Sequence, residues 1–171
     1  MASSATSGRL RDDFFLPRQE QSNWCWAAIG VALGQFFHGQ QHRQCALVQA
    51  TLDPPGLDCC ATPDNPACNV VEVISAVLGQ IDVARRAAPA QPQGTISYQE
   101  VQSDIANNRP IVCLMSGLGG EHYVVIVGWF LRDGLPWLRV DDPADGFRKE
   151  TSFNDFFEFE GRTWEQTTRL A

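Results

Sequence analysis

Long apolar runs are missing from this 171-residue chain. None approaches the roughly 20 residues of a bilayer-crossing helix, so no membrane span is expected. The opening stretch MASSATSGRLRDDFF lacks the apolar h-region of a Sec signal peptide. Export is therefore expected by a route without that signal, or after its removal; otherwise the protein is cytoplasmic. Basic patches are missing too. Thirteen Lys and Arg stand against twenty Asp and Glu, a formal net charge of -7, and the basic residues adjoin only in the pairs Arg85-Arg86 and Arg148-Lys149. That balance excludes nucleic acid as the ligand. No Cys-x-x-Cys pair occurs, which weakens any zinc-knot reading. Histidine is scarce, with only His38, His42 and His122, so few residues can serve imidazole chemistry.

What is present describes a folded protein. A hydrophobic fraction of 44% and five Trp suit a globule, and the length allows one domain, in one or two lobes. Six cysteines are many for a cytosolic protein of this size. Cys45, Cys59, Cys60 and Cys68 cluster in a Pro-rich stretch, while Cys25 and Cys113 stand apart. Adjacent Cys59 and Cys60 would strain to bridge each other, so Cys45 is expected to pair with one of them and Cys68 with the other.

The apolar pattern predicts helices over residues 23–37, 44–51, 70–78 and 97–107. Gly39 suits the C-cap of the first, Ser22 or Asn23 its N-cap, and Gly79 the end of the third. Residues 1–13 are expected to be flexible and 87–94 to be a linker. Beyond Pro110 the texture turns β-rich. IVCLMS, HYVVIVGWFL and WLRVD read as strands, the last two joined by an Asp-Gly turn, with FRKETS and TWEQTTR as further candidates. The expectation is an α+β chain: residues 14–171 form one domain, with a helical lobe over 14–108, an antiparallel sheet lobe over 109–171 and a cleft between them.

The stretch QEQSNWCWAAIG, residues 19–30, places Cys25 between two tryptophans in the first turn of the first helix. The partial positive charge of a helix N-terminus favours thiolate there. Acyl chemistry also needs an imidazole, a group to orient it, and a donor for the oxyanion. His38 and His42 lie at the far end of the same helix, about 20 Å away at ~1.5 Å per residue. His122, opening a strand after GLGGE, is left. The hairpin that follows returns WLRVDDP beside it, so Asp141 or Asp142 is expected near His122. Gln19 and Gln21 precede the cysteine as oxyanion donors.

Plainer readings compete with these. Cys25 alone would read as a buried small hydrophobe, Trp24 and Trp26 as packing residues, Cys113 as core and Glu121 as a solvated loop charge. His38, His42 and Cys45 would make a metal trio only if Gly39 did not break the helix between them.

The order Gln, Cys, His, Asp, in QEQSNWCWAA and GGEHYVVIVGW…VDDP, resembles the papain-like cysteine peptidases of bacteria, nearest the AvrRpt2-type and C39-like groups. The likeness covers roughly residues 14–160. It implies a papain-like fold, with Cys25 as nucleophile, His122 as acid/base and Gln19 as oxyanion donor beside the Cys25 backbone N–H. It also implies Asp142, directly before the proline, as the orienting residue, with Asp141 and Gln21 as alternatives. After the proline the chain departs from the pattern, with Ala144 where relatives often carry an aromatic. The implied activity is hydrolysis of peptide bonds in a protein or peptide substrate, without metal or other cofactor, by a bacterial effector or toxin with a cognate immunity or inhibitor protein. Deamidation, transglutamination or acyl transfer would use the same residues. A catalytically idle binding domain is the alternative from another class.

Overall fold

A computed structural model describes residues 5–85, 94–117 and 119–171. Contacts divide the chain into two compact units, Met1–Arg11 with Arg85–Asp141 and Arg148–Ala171, and Asp12–Ala84 with Asp142–Phe147. These differ from the expected lobes of 14–108 and 109–171. The fourth helix belongs with the sheet, and the six residues after Asp141 belong with the other three helices.

The helical unit is built around α1 (Cys25–His38), against which α2 (Gln44–Leu52) and α3 (Ile74–Gln80) pack. Ten of the fourteen α1 residues are buried, so this helix has core on nearly every side. Gly30 permits that closeness, since a Cβ there would meet Val77 Cγ2 of α3 at 2.5 Å. Gly39 ends α1 in the left-handed region at φ 66°, as expected of a C-cap glycine. The N-cap differs from expectation. Trp24 holds it, with no side-chain cap, because the Asn23 amide is drawn away to the carbonyl of Asn69.

The third helix also starts later than its sequence suggests. Residues 70–73 are not helical: Val73 is extended, and the Val70 carbonyl accepts the Trp26 Nε1–H. The helix then runs past Gly79 to Gln80. The disulfide Cys45–Cys60 ties α2 to the loop after it and Cys59–Cys68 closes a ring within that loop, in an arrangement that the cysteine spacing predicts.

The other unit is a seven-stranded sheet in the order β5-β4-β3-β2-β7-β6. Its strands are β2 (Ile111–Gly117), β3 (Gly120–Arg132), β4 (Leu135–Asp142), β5 (Phe147–Ser152), β6 (Glu158–Phe159) and β7 (Arg162–Arg169). The five expected strands are all present. β1 (Ser7–Arg9) was not anticipated, and with buried Leu10 it replaces the flexible reading for that part of residues 1–13. The β2 ladder ends at Ile126, and β1 takes the next stretch of the β3 edge, from Gly128 to Phe130. At the β3–β4 turn Asp133 and Gly134 have φ of 54° and 78°, the two positive values of a type I′ hairpin.

α4 (Tyr98–Ala106) opens with a Ser97–Glu100 capping box, and its Tyr98 hydroxyl donates to the Phe130 carbonyl. Of the expected linker 87–94, all but Gly94 lies outside the described residues.

Candidate active site

Cys25 is the first residue of α1 and is 2% exposed. It and Cys113 are the free cysteines. Cys113 lies in the middle of β2, fully buried, and that burial pushes its thiol well above the ordinary value. The two thiols should therefore separate chemically. Iodoacetamide on the native protein is expected to modify Cys25 and to spare Cys113 until unfolding, read by peptide mass mapping; early labelling of Cys113 would contradict this placement.

The segment before Cys25 is a tight loop closed on a side chain. Gln19 Nε2 donates to the carbonyls of Gln21 at 2.8 Å and Ser22 at 2.7 Å. Two carbonyls at one end fix the amide orientation, because the reverse would set oxygen against oxygen. The Gln19 Oε1 is buried and has no hydrogen-bond partner among the described residues. Gln21 takes part through its main chain, its carbonyl also accepting the Trp24 N–H. Arg18, Gln19, Glu20, Gln21, Ser22 and Ala144 line a polar recess of about 310 Å³.

The same loop is joined to the turn that ends β4. Gln19 N–H donates to the Pro143 carbonyl at 2.8 Å, and Arg18 Nε donates to that of Ala144 at 3.2 Å. Asp142, 2% exposed, accepts the Ala144 N–H on Oδ1 and the Gly146 N–H on its carbonyl, both at 2.8 Å. Ala144 itself is exposed.

In the sheet unit His122 is buried on β3 and pairs in register with Met115. Val125 pairs with Asp141, so alternation sends Asp141 to the face of Val125 and Tyr123, opposite to that of His122. Asp141 is moreover engaged there. Arg148 of β5 grips both carboxylate oxygens, Nε at 2.7 Å and Nη2 at 2.9 Å, and that hydrogen bonding raises the guanidinium pKa. Asp142, the next residue along β4, points the other way from Asp141.

The remaining histidines are employed elsewhere. His38 Nε2 lies 3.1 Å from the Asp82 carbonyl, and His42 Nε2 lies 3.1 Å from Gln40 Oε1. Cys45 is consumed by its disulfide, which removes the thiolate that the metal-trio reading required. Among the described residues no group of three His, Cys, Asp or Glu is placed to hold a metal, and no helix is long and apolar enough to cross a membrane.

Sequence reasoning missed two partners. Arg148, which occupies Asp141, reads in the sequence only as part of a candidate strand. Asn69 sits without distinction inside the Pro- and Cys-rich loop, yet it accepts the Asn23 N–H, takes the Asn23 amide on its carbonyl and donates to Ser22 Oγ. No local pattern announces either one, because each is defined by its distant partner.

Helices led by a free cysteine, in a chain that also carries an antiparallel sheet, place this protein in the α+β papain-like class. Digestive procathepsin L 3 of the Tenebrio molitor larval midgut is similar in fold, at TM-score 0.58 and 10% identity, with 99% of this chain and 71% of that chain covered. Residues 10–160 match the family model described as papain-like cysteine protease AvrRpt2, and the chain belongs to that family of cysteine proteases. No curated protein matches the sequence.

Proposed function

We propose that the protein is a thiol endopeptidase in which Cys25 and His122 form the reacting pair, Asp142 orients His122, and Gln19 with the Cys25 backbone N–H receives the oxyanion. Cys25 Sγ attacks the scissile carbonyl, giving a thioester and releasing the amine, which takes its proton from His122. Water, activated by His122, then cleaves the thioester and restores the thiol. No metal or cofactor enters these steps. The observation that carries this reading is the free Cys25 at the start of α1, in a cysteine protease family whose match spans all four proposed residues.

Asp142 is preferred to Asp141 because the latter faces away from His122 and is held by Arg148. Gln19 is preferred to Gln21 because its side chain is the one built into the loop before Cys25. Donation to an oxyanion requires its Nε2 to loosen one of two main-chain bonds, which couples the loop to the reaction. We assign the substrate to the protein class and the occasion to a secreted or injected effector or toxin, restrained in its producer by an immunity or inhibitor protein.

The test is mass spectrometry of a protein extract incubated with active protein and with Cys25→Ala. New peptide termini, seen only with the active protein, are expected; one-dalton side-chain shifts without new termini would replace the peptidase by a deamidase. On a peptide cleaved in that experiment, Gln19→Ala is expected to lower kcat by about 10²–10³, the usual loss for one oxyanion donor. Asp142→Asn should slow turnover and Asp141→Asn should leave it nearly unchanged. The reverse order for the two aspartates would reassign the orienting residue.

A further inference from the structure

We propose that Asn69 is a positioning residue for the Cys25 nucleophile, fixing the point at which α1 begins; this rests on the reading of Cys25 given above. The start of α1 has no side-chain cap of its own. What holds it is a strap of three consecutive residues from the disulfide loop. Asn69 Oδ1 accepts the Asn23 N–H at 3.0 Å, the Asn69 carbonyl accepts the Asn23 amide at 2.8 Å, and Asn69 Nδ2 donates to Ser22 Oγ at 3.0 Å. On either side of Asn69, the Cys68 carbonyl accepts Trp24 Nε1–H at 2.9 Å and the Val70 carbonyl accepts Trp26 Nε1–H at 3.0 Å. The residues flanking Cys25 on both sides are thus bonded to residues 68–70. Substituting Asn69 removes the side-chain contacts of that set.

The strap is itself anchored. Cys68 is bonded to Cys59, whose N–H donates to Gln49 Oε1 on α2, and the N–H groups of Cys68 and Asn69 both donate to the Asn65 carbonyl. Asn69 is therefore a fixed point and Ser22–Asn23 the part it fixes. A nucleophile displaced by about 1 Å can cost on the order of 10² in rate, so the loss should fall on turnover more than on substrate binding.

The test uses a synthetic peptide spanning a cleavage site mapped with the unaltered full-length protein. Turnover is expressed per active site, with active sites counted by covalent titration of Cys25, so that misfolded protein does not register. Asn69→Ala is expected to lower kcat per active site about 10- to 100-fold and to change KM by less than about twofold. Asn69→Asp, which keeps the acceptor for Asn23 N–H and can accept from the Ser22 hydroxyl, should return kcat to within about threefold. Asn65→Ala removes only a bond to Ala67 N–H within the same loop, and should leave kcat within about twofold.

If Asn69→Ala does not fold, Asn23→Ala breaks the same junction from the other side and should lower kcat alone. Unchanged kcat per active site in Asn69→Ala, or in Asn23→Ala where that variant stands in, with Cys25→Ala inactive, overturns the positioning role and leaves the nucleophile intact. Cleavage by Cys25→Ala overturns both.

Discussion

Cys25→Ala is expected to yield a folded protein whose peptidase activity has fallen by about 10⁴-fold or more. The size of the loss follows from the chemistry, since without the thiol no acyl-enzyme forms and only substrate binding and oxyanion donors remain. The fold should survive because the change is small. Cys25 is the first residue of α1, alanine is the best helix former, and a single buried sulfur is exchanged for hydrogen at a cost of about 1 kcal/mol. His122→Ala should fall to a similar level. Circular dichroism and the two native disulfides report the fold, and cleavage of a mapped peptide reports the activity. A folded Cys25→Ala that retained substantial turnover would remove Cys25 from the mechanism.

The largest effect on stability is expected at Arg169. Its guanidinium reaches from β7 to Asp104 and, at 2.7 Å, to Glu100 on α4, and Asp104 is fully buried. A buried ion pair contributes little net stability, but removing one partner weakens the compensation of the other charge in a low dielectric. Arg169→Met should therefore cost about 3 kcal/mol or more, equivalent to a fall in Tm of very roughly 6–12 °C for a chain of this length. Replacing Asp104 by Leu in the same protein should recover part of that loss, because the buried carboxylate that Arg169 served is then gone.

The same cluster sets an acid limit. The Glu100 carboxyl is held below its ordinary value of 4.5, first by the Ser97 N–H, then by the Ser97 hydroxyl and Arg169 against the effect of burial. A carboxyl lowered on folding stabilises the native state above its unfolded pKa. That contribution should fade as pH drops below about 4.5 through the lower folded value. Thermal melts of the unaltered protein and Glu100→Gln should differ near neutral pH and converge in acid. A gap that widened on acidification would contradict the assignment.

Much of this was legible because it is local. The spacing of Cys25, Ile29, Ala32, Leu33 and Phe36 with a following glycine gave α1. Asp133-Gly134 gave the hairpin that carries Asp141 and Asp142 back along β3. Adjacency of Cys59 and Cys60 was enough to pair each with a more distant cysteine. What escaped depends on partners far along the chain. β1 is three residues long and exists because β2 stops short of the β3 edge it occupies. The N-cap moved from Asn23 to Trp24 because Asn69, 46 residues away, takes the Asn23 side chain. The Val-rich stretch before α3 is drawn out of the helix where its Val70 carbonyl meets Trp26. The choice between Asp141 and Asp142 was a question of strand face, which the identity of neighbouring residues does not encode. The grip of Arg148 on Asp141 needed the β4–β5 pairing to be seen.

The claim that Cys25 Sγ is the nucleophile is tested most directly by trapping its thioester. A peptide ester with the sequence of a mapped cleavage site, mixed with the protein and quenched in acid within the first turnover, should leave an acyl mass on the protein. Peptide mapping should place that mass on the fragment containing Cys25. The adduct should be missing from Cys25→Ala and should accumulate when Asp142→Asn slows deacylation. An acyl mass on any other residue, or rapid cleavage with no adduct on Cys25 at any quench time, would contradict the account.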